Sequence, residues 1–427
     1  MNTIVYPSFL KGEVEAPPSK SYTQRALLAA LLSSGTSEIL RPGISEDESG
    51  MMEAIKTLGA KTHLEYDHLW VEGGLQPVVT TLNMGESGLG IRLITPVATM
   101  LQKQIRITGE GSLKKRPMDT FEEAIRQAGG LCQTTNGYLP LTMKGPLTGG
   151  TIRLDTPISS QFLSGLLFAL PMAENDSTIR VKNLKSTPYV DLTLDVLARY
   201  GIRIRHRHYE TFEISGRQVY QPVRLEIEKD WSNAAFFFVA GALRDGITIR
   251  GLNPGSAQGD KKILEALEAS GAHISRTEGI YRITSKGALK AFKIDATHCP
   301  DLFPPLAVLA TYCKGTSAIH GLHRLIHKES NRADAIQKEL TSMGIPVSLE
   351  DDRMLITGKK PSGGTFHAHN DHRMAMAGAI LALGAEAPVK IIGSEAVRKS
   401  YPDFYHTLKK LHANLEHTHE DTDRRSR

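Results

Sequence analysis

Residues 247–287 read ITIRGLNPGSAQGDKKILEALEASGAHISRTEGIYRITSKG and contain one complete structural unit. The segment opens with a short strand-like run and a polar loop. It continues into a helical pattern with apolar residues at i, i+3, i+4 and i+7. Two alternating runs split by a turn follow, and they indicate a β-hairpin. The order strand, amphipathic helix and hairpin predicts an α/β unit.

The strand-like run recurs along the chain at a spacing of roughly 70 residues, which is typical of stacked or symmetric repeats. Its six copies are SEILRPG (37–43), QIRITG (104–109), TIRVKN (178–183), ITIRGL (247–252), SAIHGL (317–322) and VKIIGS (389–394). An amphipathic helix follows each copy, and in most copies it ends near a glycine, the expected C-cap. The copy nearest the C-terminus lacks the two alternating runs.

A second helix of different character precedes every copy of the strand. These helices are apolar nearly all round and rich in Ala, Leu and Gly, so we expect them to be buried and closely packed. They span residues 19–35, 86–101, 159–173, 230–246, 301–315 and 370–385. Three repeats per half predict an α/β fold of two similar domains, with the buried helices inside and the sheets outside.

The predicted domain boundaries follow from this repeat pattern. The first domain covers residues 18–229, and the second covers residues 230–412 together with residues 1–17, which precede the first buried helix and are expected to pair back with the second half. Residues 413–427 are polar and lack apolar periodicity, so they are predicted to be a disordered tail.

Composition places the chain among compact globular proteins of more than one domain. It has 427 residues, of which 40% are hydrophobic and 23% charged, and its formal charge is only +5. That mild charge argues against nucleic-acid binding. The three cysteines form no disulfide framework or metal pattern, and no targeting or membrane segment is evident. We therefore expect a cytoplasmic protein without metal.

Cations stand at the starts of several buried helices, where the helix dipole disfavours positive charge. Lys20, Arg25, Arg92 and Arg373 occupy such positions. Further charges follow the strands in the loops: Lys114, Lys115, Arg116, Lys328, Glu329, Arg332, Arg398 and Lys399. N-capping by Ser, Asp and Asn, or a solvated surface, is the alternative explanation. The pattern favours a site for phosphate and carboxylate groups.

Acid–base chemistry would need a carboxylate near the reacting centre. The candidates are Asp301, at the start of a buried helix, and Glu329, between two cations. Asp301 is equally compatible with a plain N-cap, and His372 with a packed or capping histidine.

Six motifs occur in the order and spacing found in the EPSP synthases. They are PPSKSYTQRALLAAL (17–31), SSQFLSG (159–165), STPYVD (186–191), KESNRAD (328–334), NDHRMAM (370–376) and RKSYPDF (398–404). The chain resembles this family from about residue 16 to residue 410. The resemblance implies two domains of three βαβαββ repeats each, an inside-out α/β barrel, with the active site in the interdomain cleft.

The resemblance also implies an activity. Such enzymes transfer the enolpyruvyl group of phosphoenolpyruvate to the 5-hydroxyl of shikimate 3-phosphate, releasing phosphate, in the shikimate pathway to chorismate and the aromatic amino acids. No cofactor is implied, the family precedent is a monomer, and the family is the target of glyphosate. Closure of the two halves would exclude water during addition and elimination.

Roles for individual residues are carried over by motif. The shikimate 3-phosphate contacts implied are Lys20, Ser21, Arg25, Ser159, Ser160, Gln161, Ser186, Tyr189, Asp301 and Lys328. The phosphoenolpyruvate contacts implied are Lys20, Gly88, Arg116, Gln161, Arg332, Arg373 and Lys399. Asp301 would take the proton of the 5-hydroxyl, and Glu329 and Lys20 would deliver protons to the methylene carbon and the leaving phosphate.

Three positions depart from the family pattern. Glu86 and Leu89 stand where most members have Asn and Thr, and Asn331 stands where Asp is usual. The Glu86 carboxylate is unexpected beside anionic substrates. These departures leave open an enolpyruvyl transferase acting on a different acceptor alcohol in a secondary pathway, or an inactive anion- or nucleic-acid-binding homologue.

A UDP-N-acetylglucosamine enolpyruvyl transferase is a further alternative. That family has Lys-Asn in place of Lys20-Ser21 and usually a cysteine in its mobile loop. The corresponding stretch here, GEGSLKKRP (109–117), contains none.

Overall fold

A computed structural model of the chain describes residues 1–77, 79–154, 159–243, 246–285, 287–326 and 328–418. These residues form two compact units. The first unit is Pro18–Glu228, and the second combines Met1–Pro17 with the chain from Lys229 onward. The change of unit after Glu228 lies beside the border predicted before Asp230.

Residues 1–17 contribute two strands to the second unit, β1 (Asn2–Val5) and β2 (Gly12–Glu15). The helices of the first unit are α1 (Lys20–Leu32), α2 (Glu46–Thr57), α3 (Gly88–Ala98), α4 (Thr120–Gln127), α5 (Ser160–Ala169) and α6 (Thr187–Arg199). Its strands are β3 (Thr36–Leu40), β4 (Lys61–Glu65), β5 (His68–Glu72), β6 (Thr81–Asn83), β7 (Ile105–Thr108), β8 (Leu131–Thr135), β9 (Tyr138–Lys144), β10 (Gly150–Leu154), β11 (Ser177–Val181), β12 (Ile204–Arg207), β13 (Thr211–Ile214) and β14 (Arg224–Glu226).

The second unit repeats the same alternation. Its helices are α7 (Trp231–Leu243), α8 (Ile263–Ser270), α9 (Phe303–Thr311), α10 (Arg332–Ser342), α11 (His372–Leu383) and α12 (Phe404–Lys410). Its further strands are β15 (Ile247–Arg250), β16 (His273–Thr277), β17 (Ile280–Thr284), β18 (Lys293–Asp295), β19 (Thr316–His320), β20 (Val347–Glu350), β21 (Arg353–Thr357), β22 (Gly364–His367), β23 (Val389–Ile392) and β24 (Leu415–Thr418). Short 3-10 helices at Gly111–Lys115, Pro300–Leu302 and Ser394–Lys399 carry predicted site residues.

The described residues build six four-stranded sheets, three in each unit, and every sheet has the same plan. A parallel pair of strands is followed by two antiparallel neighbours. In the first unit the orders are β14-β3-β5-β4, β6-β7-β9-β8 and β10-β11-β13-β12. In the second unit they are β2-β15-β17-β16, β18-β19-β21-β20 and β22-β23-β1-β24. The predicted α/β repeat architecture is therefore confirmed.

Three sheets are completed by strands from the far ends of their units. The last strand of the first unit, β14, pairs in parallel with β3, and β2 pairs in parallel with β15. In the sixth sheet β1 lies antiparallel to both β23 and β24. The repeat that lacks its own hairpin obtains an equivalent from the two ends of the chain.

The pairing of β24 corrects part of the predicted tail. Residues 413–427 were expected to be disordered, yet Leu415–Thr418 form a strand and Leu415 pairs with Val5. Ala413 and Leu415 alternate with exposed residues and are buried, which suffices for an edge strand when β1 supplies the partner. Residues 419–427 lie outside the described residues.

The apolar helices form the interior of each unit, as their composition predicts. In α7 every residue from Trp231 to Ala242 is buried, and in α11 the whole helix is buried. Small residues allow close approach: a Cβ on Gly165 of α5 would lie 2.2 Å from the Arg92 carbonyl oxygen of α3. Among the described residues no helix has both the length and the apolar character needed to cross a bilayer.

Candidate active site

The three buried helices of the first unit begin with serine N-caps. Ser19, Ser87 and Ser159 each accept a hydrogen bond from a backbone N–H in the first turn, at 3.2–3.4 Å. The capping predicted as the plain alternative is therefore present. Capping by serine does not explain why cations also lie near the starts of these helices.

Side chains link the first turns of the three helices. Ser87 donates to Gln24 Oε1 of α1 at 3.3 Å, and Arg92 Nη1 of α3 donates to Gln161 Oε1 of α5 at 3.0 Å. Because these contacts join consecutive buried helices near their starts, the predicted residues at the starts of α1, α3 and α5 converge within this unit.

Two guanidinium groups lie against the backbone of Gly88. A Cβ at this position would be 2.0 Å from Arg116 Nη1 and 3.2 Å from Arg92 Nη1. Arg92 also lies over the ring of Phe162, at 5.0 Å from its centroid. Both arginines are only 6% exposed. A side chain at position 88 would therefore displace the Arg116 guanidinium from its place against the backbone.

Arg25 is a buried cation held by uncharged groups. Its Nε donates to Thr193 Oγ1 at 2.9 Å, and its Nη atoms donate to the Ser21 and Tyr189 carbonyl oxygens at 2.8 and 3.1 Å. Across the described ranges no carboxylate contacts it. Burial lowers the pKa of the Arg25 guanidinium to about 10, so the side chain remains charged at neutral pH. Among the described residues, no acidic side chain therefore neutralises its charge.

The predicted serines lie at the starts of α5 and α6. Ser160 and Ser186 are buried, and Ser186 has the left-handed φ of 58° just before α6. Ser164 of α5 hydrogen-bonds Thr193 of α6 at 2.8 Å. Thr193, which also binds Arg25, thereby joins these two helices to α1. The position of Thr193 inside a helix gives no local sequence signal for this role.

Lys20 forms an ion pair that the sequence did not indicate. Its Nζ lies 2.7 Å from Asp47 Oδ2, and both side chains are 12% exposed. The neighbouring Glu48 is buried and closes a capping box by accepting from the Ser45 N–H at 2.8 Å. Burial raises the pKa of Glu48 to about 7, in spite of Ser45 and Lys20. The S-x-x-E pattern of residues 45–48 was the signal that could have identified Glu48.

In the second unit Asp301 is surrounded by three cations. Its Oδ1 accepts from Lys328 Nζ at 3.0 Å and Arg332 Nη1 at 2.6 Å, and its Oδ2 accepts from Arg373 Nη2 at 3.2 Å. Burial acts to raise the pKa of Asp301, but Arg373, Lys328 and Arg332 together hold it well below the ordinary value. Burial also lowers the pKa of Lys328. Asp301 is therefore ionised at neutral pH.

Arg332 lies at the centre of a carboxylate cluster. Its side chain is 1% exposed and donates to Asp301, to Glu329 Oε2 at 2.6 Å and to Asp371 Oδ2 at 2.7 Å. Asp371 is fully buried and caps α11 by accepting from the Arg373 N–H at 2.9 Å. In the sequence Asp371 is visible only as part of the NDHRMAM motif, which does not indicate that it is the partner of Arg332.

Lys399 is fixed at the end of the Ser394–Lys399 turn. Its Nζ donates to the Asn370 carbonyl oxygen at 2.8 Å, and its side chain is nearly buried. His369 and Asn370 have left-handed φ values of 52° and 57°. This strained turn presents the carbonyl to Lys399. His372, which follows it, is buried in the first turn of α11.

The departure at Asn331 has a local explanation. Asn331 precedes α10, and its Nδ2 donates to Asp334 Oδ2 at 2.5 Å. An aspartate there would place two carboxylates together. No contact among the described residues explains Leu89, which is partly exposed.

The predicted site residues therefore fall into two groups, one in each unit. The first unit holds Lys20, Ser21, Arg25, Gly88, Arg116, Ser159, Ser160, Gln161, Ser186 and Tyr189. The second holds Asp301, Lys328, Glu329, Arg332, Arg373 and Lys399. Over the described ranges no three His, Cys, Asp or Glu side chains group in a way that could hold a metal ion.

The sequence matches a family and relatives that are named for the same enzyme activity. The family model for EPSP synthase (3-phosphoshikimate 1-carboxyvinyltransferase) matches residues 5–408. The chain is 38% identical to the 3-phosphoshikimate 1-carboxyvinyltransferase of Clostridium kluyveri, covering 96% of this chain and 97% of that one. It is 36% identical to the enzyme of the same name from Aeropyrum pernix, covering 97% and 96%.

Solved structures of similar fold include members of the same family. EPSP synthase from Acinetobacter baumannii superimposes with a TM-score of 0.81 at 25% identity, covering 97% of this chain and 99% of that one. The enolpyruvyl transferase NikO from Streptomyces tendae gives a TM-score of 0.80 at 18% identity, covering 98% of each chain, and shows the fold alone. From the whole-length match and the shared identity, this chain belongs to the EPSP synthase (3-phosphoshikimate 1-carboxyvinyltransferase) family.

Proposed function

We propose that this chain transfers the enolpyruvyl group of phosphoenolpyruvate to the 5-hydroxyl of shikimate 3-phosphate and releases inorganic phosphate. The observation that carries the proposal is the ionised Asp301 carboxylate held among Lys328, Arg332 and Arg373. Such a cluster supplies a proton acceptor and positive charge at one place, and the addition of a hydroxyl to an anionic substrate requires both.

The first unit supplies the groups proposed to bind shikimate 3-phosphate. Arg25 offers a charge that neutral groups hold in place, and hydroxyl groups are common ligands of phosphate. The full set is Lys20, Ser21, Arg25, Ser159, Ser160, Gln161, Ser186 and Tyr189. From the second unit, Asp301 and Lys328 are proposed to bind the ring hydroxyls.

Phosphoenolpyruvate carries a phosphate and a carboxylate, so its site needs several cations. We assign Lys20, Gly88, Arg116, Gln161, Arg332, Arg373 and Lys399 to it. Arg116 is supported by its fixed position on the Gly88 backbone. Arg332 already donates to three carboxylates, so its binding to phosphoenolpyruvate involves an exchange of partners.

Proton transfer is assigned to three side chains. Asp301 accepts the 5-hydroxyl proton while the hydroxyl oxygen attacks C2 of phosphoenolpyruvate. Since its three cations make Asp301 a weak base, the proton moves as the C–O bond forms and the hydroxyl becomes more acidic. Glu329 and Lys20 deliver protons to the C3 methylene, which gives a tetrahedral intermediate, and later to the leaving phosphate.

Elimination then completes the transfer. The C2–O bond to phosphate breaks as Lys20 or Glu329 gives a proton to the leaving phosphate. The C3 methyl group returns a proton to the side chain that had protonated it, which restores the double bond. Arg and Lys side chains stabilise the charge that develops on the departing phosphate, so the proposed reaction involves no cofactor. We also infer a cytoplasmic protein, in keeping with the isolated cysteines of the sequence, and a monomer, in keeping with the family precedent.

An acceptor series tests the activity. Phosphate release from phosphoenolpyruvate is measured with shikimate 3-phosphate, with UDP-N-acetylglucosamine and without acceptor. We expect release only with the first. Release with the second alone would show the other enolpyruvyl transferase activity, and no release with either would overturn the proposal.

Variants of Asp301 test its assigned role. Asp301→Asn keeps the size of the side chain and removes the base, so kcat should fall by about a thousandfold or more. Asp301→Ala should be equally inactive. Asp295→Asn is the matched control, because Asp295 is an exposed aspartate that carries no proposed site role and accepts from the Thr297 N–H at 2.8 Å. Circular dichroism establishes that each variant is folded, and a folded Asp301→Asn protein with wild-type kcat would refute the assignment.

A further inference from the structure

Two loops of the first unit approach each other at the start of α3. One leads into the helix after β6, and the other follows β7. The Glu110 N–H donates to the Gly85 carbonyl oxygen at 2.6 Å, and Asn83 Nδ2 donates to Glu110 Oε1 at 2.8 Å. A Cβ on Gly109 would lie 3.1 Å from the Gly85 carbonyl oxygen. The two loops are therefore in close backbone contact.

Glu86 ties the second loop to the first through its carboxylate. Glu86 Oε2 accepts from the Ser112 backbone N–H at 3.0 Å and from Ser112 Oγ at 3.1 Å. The N–H belongs to the first turn of the Gly111–Lys115 3-10 helix, where backbone donors have no partner within the helix. A carboxylate that accepts from such a donor stabilises the start of the turn.

Gly111 shows how closely the carboxylate sits on this turn. Its φ is +46°, a conformation that favours glycine, and a Cβ there would lie 2.3 Å from Glu86 Cδ. The backbone conformation thus favours glycine, and a side chain there would displace the Glu86 carboxylate from the turn. The Glu86 carboxylate therefore lies against Gly111 and accepts from Ser112 in the same turn.

The turn held by Glu86 ends in Arg116. The Arg116 N–H donates to the Leu113 carbonyl oxygen at 3.1 Å, and Leu113 is fully buried. The Arg116 guanidinium returns to Gly88, two residues after Glu86. The 3-10 helix is therefore fixed at its start by the Glu86 carboxylate and at its end by the contact between Arg116 and the start of α3.

We propose that Glu86 is a positioning residue that holds the Gly111–Lys115 turn, so that Arg116 is presented to phosphoenolpyruvate. The inference rests on the proposed function, in which Arg116 binds that substrate. It also gives a role to the acidic residue that stands where most family members have an amide. The Ser112 N–H and hydroxyl donate to the Glu86 carboxylate and hold it against the loop. Through this contact Glu86 positions the Arg116 guanidinium for the substrate.

Steady-state kinetics of Glu86 variants test this role. Glu86→Ala removes the acceptor, and the KM for phosphoenolpyruvate should rise by about tenfold, while the KM for shikimate 3-phosphate stays within about twofold. Glu86→Gln keeps an acceptor oxygen for Ser112 and should restore most of the affinity. Ser112→Ala loses one of the two hydrogen bonds and should show a smaller rise. In the double variant the two effects should not add, because both remove the same contact.

The chain offers a closely matched control at Glu122. Its Oε1 accepts from the Thr134 N–H at 2.6 Å and from Thr134 Oγ1 at 2.5 Å, the same pair of donors on the hairpin of β8 and β9. Glu122→Ala removes an equivalent contact from a loop without a predicted site residue. It should change thermal stability about as much as Glu86→Ala and leave both KM values unchanged.

Three results would overturn the inference: an unchanged phosphoenolpyruvate KM in folded Glu86→Ala, an equal rise in both KM values, or the same kinetic effect in Glu122→Ala. Failure of the proposed function is distinguishable from these, because the wild-type protein would then release no phosphate with shikimate 3-phosphate.

Discussion

At the scale of single residues, the buried arginines Arg25 and Arg332 differ in the groups that accept their hydrogen bonds. Arg25 keeps its charge on neutral acceptors, whereas Arg332 is surrounded by three carboxylates. Breaking a buried pair by removing one partner leaves an uncompensated charge and is strongly destabilising. Arg25 is thus suited to attract an anion, and Arg332 to organise the acidic groups around it.

The buried carboxylate of Glu48 should make the free energy of unfolding depend on pH. Its pKa is raised from 4.5 to about 7 because its carboxylate is buried. A raised pKa means that Glu48 contributes full stability below pH 4.5 and loses that contribution as pH rises through 7. At pH 8 the ionised Glu48 costs on the order of 3 kcal/mol.

Glu48→Gln should therefore raise the free energy of unfolding at pH 8 relative to wild type, and the difference should shrink towards pH 5. Urea unfolding at both values measures this. Glu53→Gln is the control, since Glu53 is an exposed partner of Lys56 on the same helix. A Glu48→Gln protein that is less stable than wild type at pH 8 would contradict the prediction.

At the scale of elements, the turn before α11 shows how a strained segment is supported. Glu339 of α10 is buried and accepts from the His367 N–H at 2.8 Å and from His369 Nε2 at 2.7 Å. Left-handed conformations cost energy in residues other than glycine and persist only where neighbours hold them. The Glu339 contacts hold the turn whose carbonyl oxygen binds Lys399.

At the same scale, the packing of the edge strand β24 should contribute to the stability of the second unit. Leu415 is buried in the core of the second unit, although the sequence around it is polar. Leu415→Ala should lower the free energy of unfolding by about 2 kcal/mol, because it leaves a cavity beside β1. Urea unfolding tests this. Glu416→Ala removes an exposed hydrogen bond from Tyr6 and should change the free energy of unfolding by less than about 0.5 kcal/mol. Equal effects of the two variants would show that β24 is not packed.

At the scale of the whole molecule, the net positive charge is expected to favour the binding of anionic substrates. The formal charge is +5, and both proposed substrates are anions. Electrostatic attraction over distances of about 10 Å is screened at about 0.1 M salt. Cations that also lie in nearly buried positions, such as Arg116 and Lys399, are screened less.

We therefore expect both KM values to rise several-fold between about 0.05 and 0.5 M KCl, with a smaller change in kcat. Initial rates across a salt series measure the effect. The same series in potassium acetate separates screening from competition by chloride. KM values that are independent of salt would argue against electrostatic attraction of the substrates.

Local patterns were enough to predict the repeats and the buried helices. The apolar composition of the helix at 230–246 and the periodicity of the helix that follows it are properties of neighbouring residues, and they specify secondary structure and burial directly. The pairing of residues 1–17 with the second half also followed from their place in the repeat order. The serine caps were visible for the same reason.

Partners distant in sequence could not be predicted in this way. Arg25 meets Thr193 across 168 positions, and Arg332 meets Asp371 across 39. No local pattern distinguishes Thr193 from other helical threonines. The β24 strand could not be predicted because Leu415 is the one apolar residue within Leu415–Thr418, and the strand forms where β1 offers an edge for pairing.

The sequence alone established the six α/β repeats, the family and the positions of the cations, because each of these depends on residues close together in the chain. The folded chain alone showed which carboxylate neutralises which cation, that Arg25 has no acidic partner among the described residues, and that Glu86 is directed at Ser112. These features depend on distances between groups in separate elements, and only the packing of those elements sets such distances.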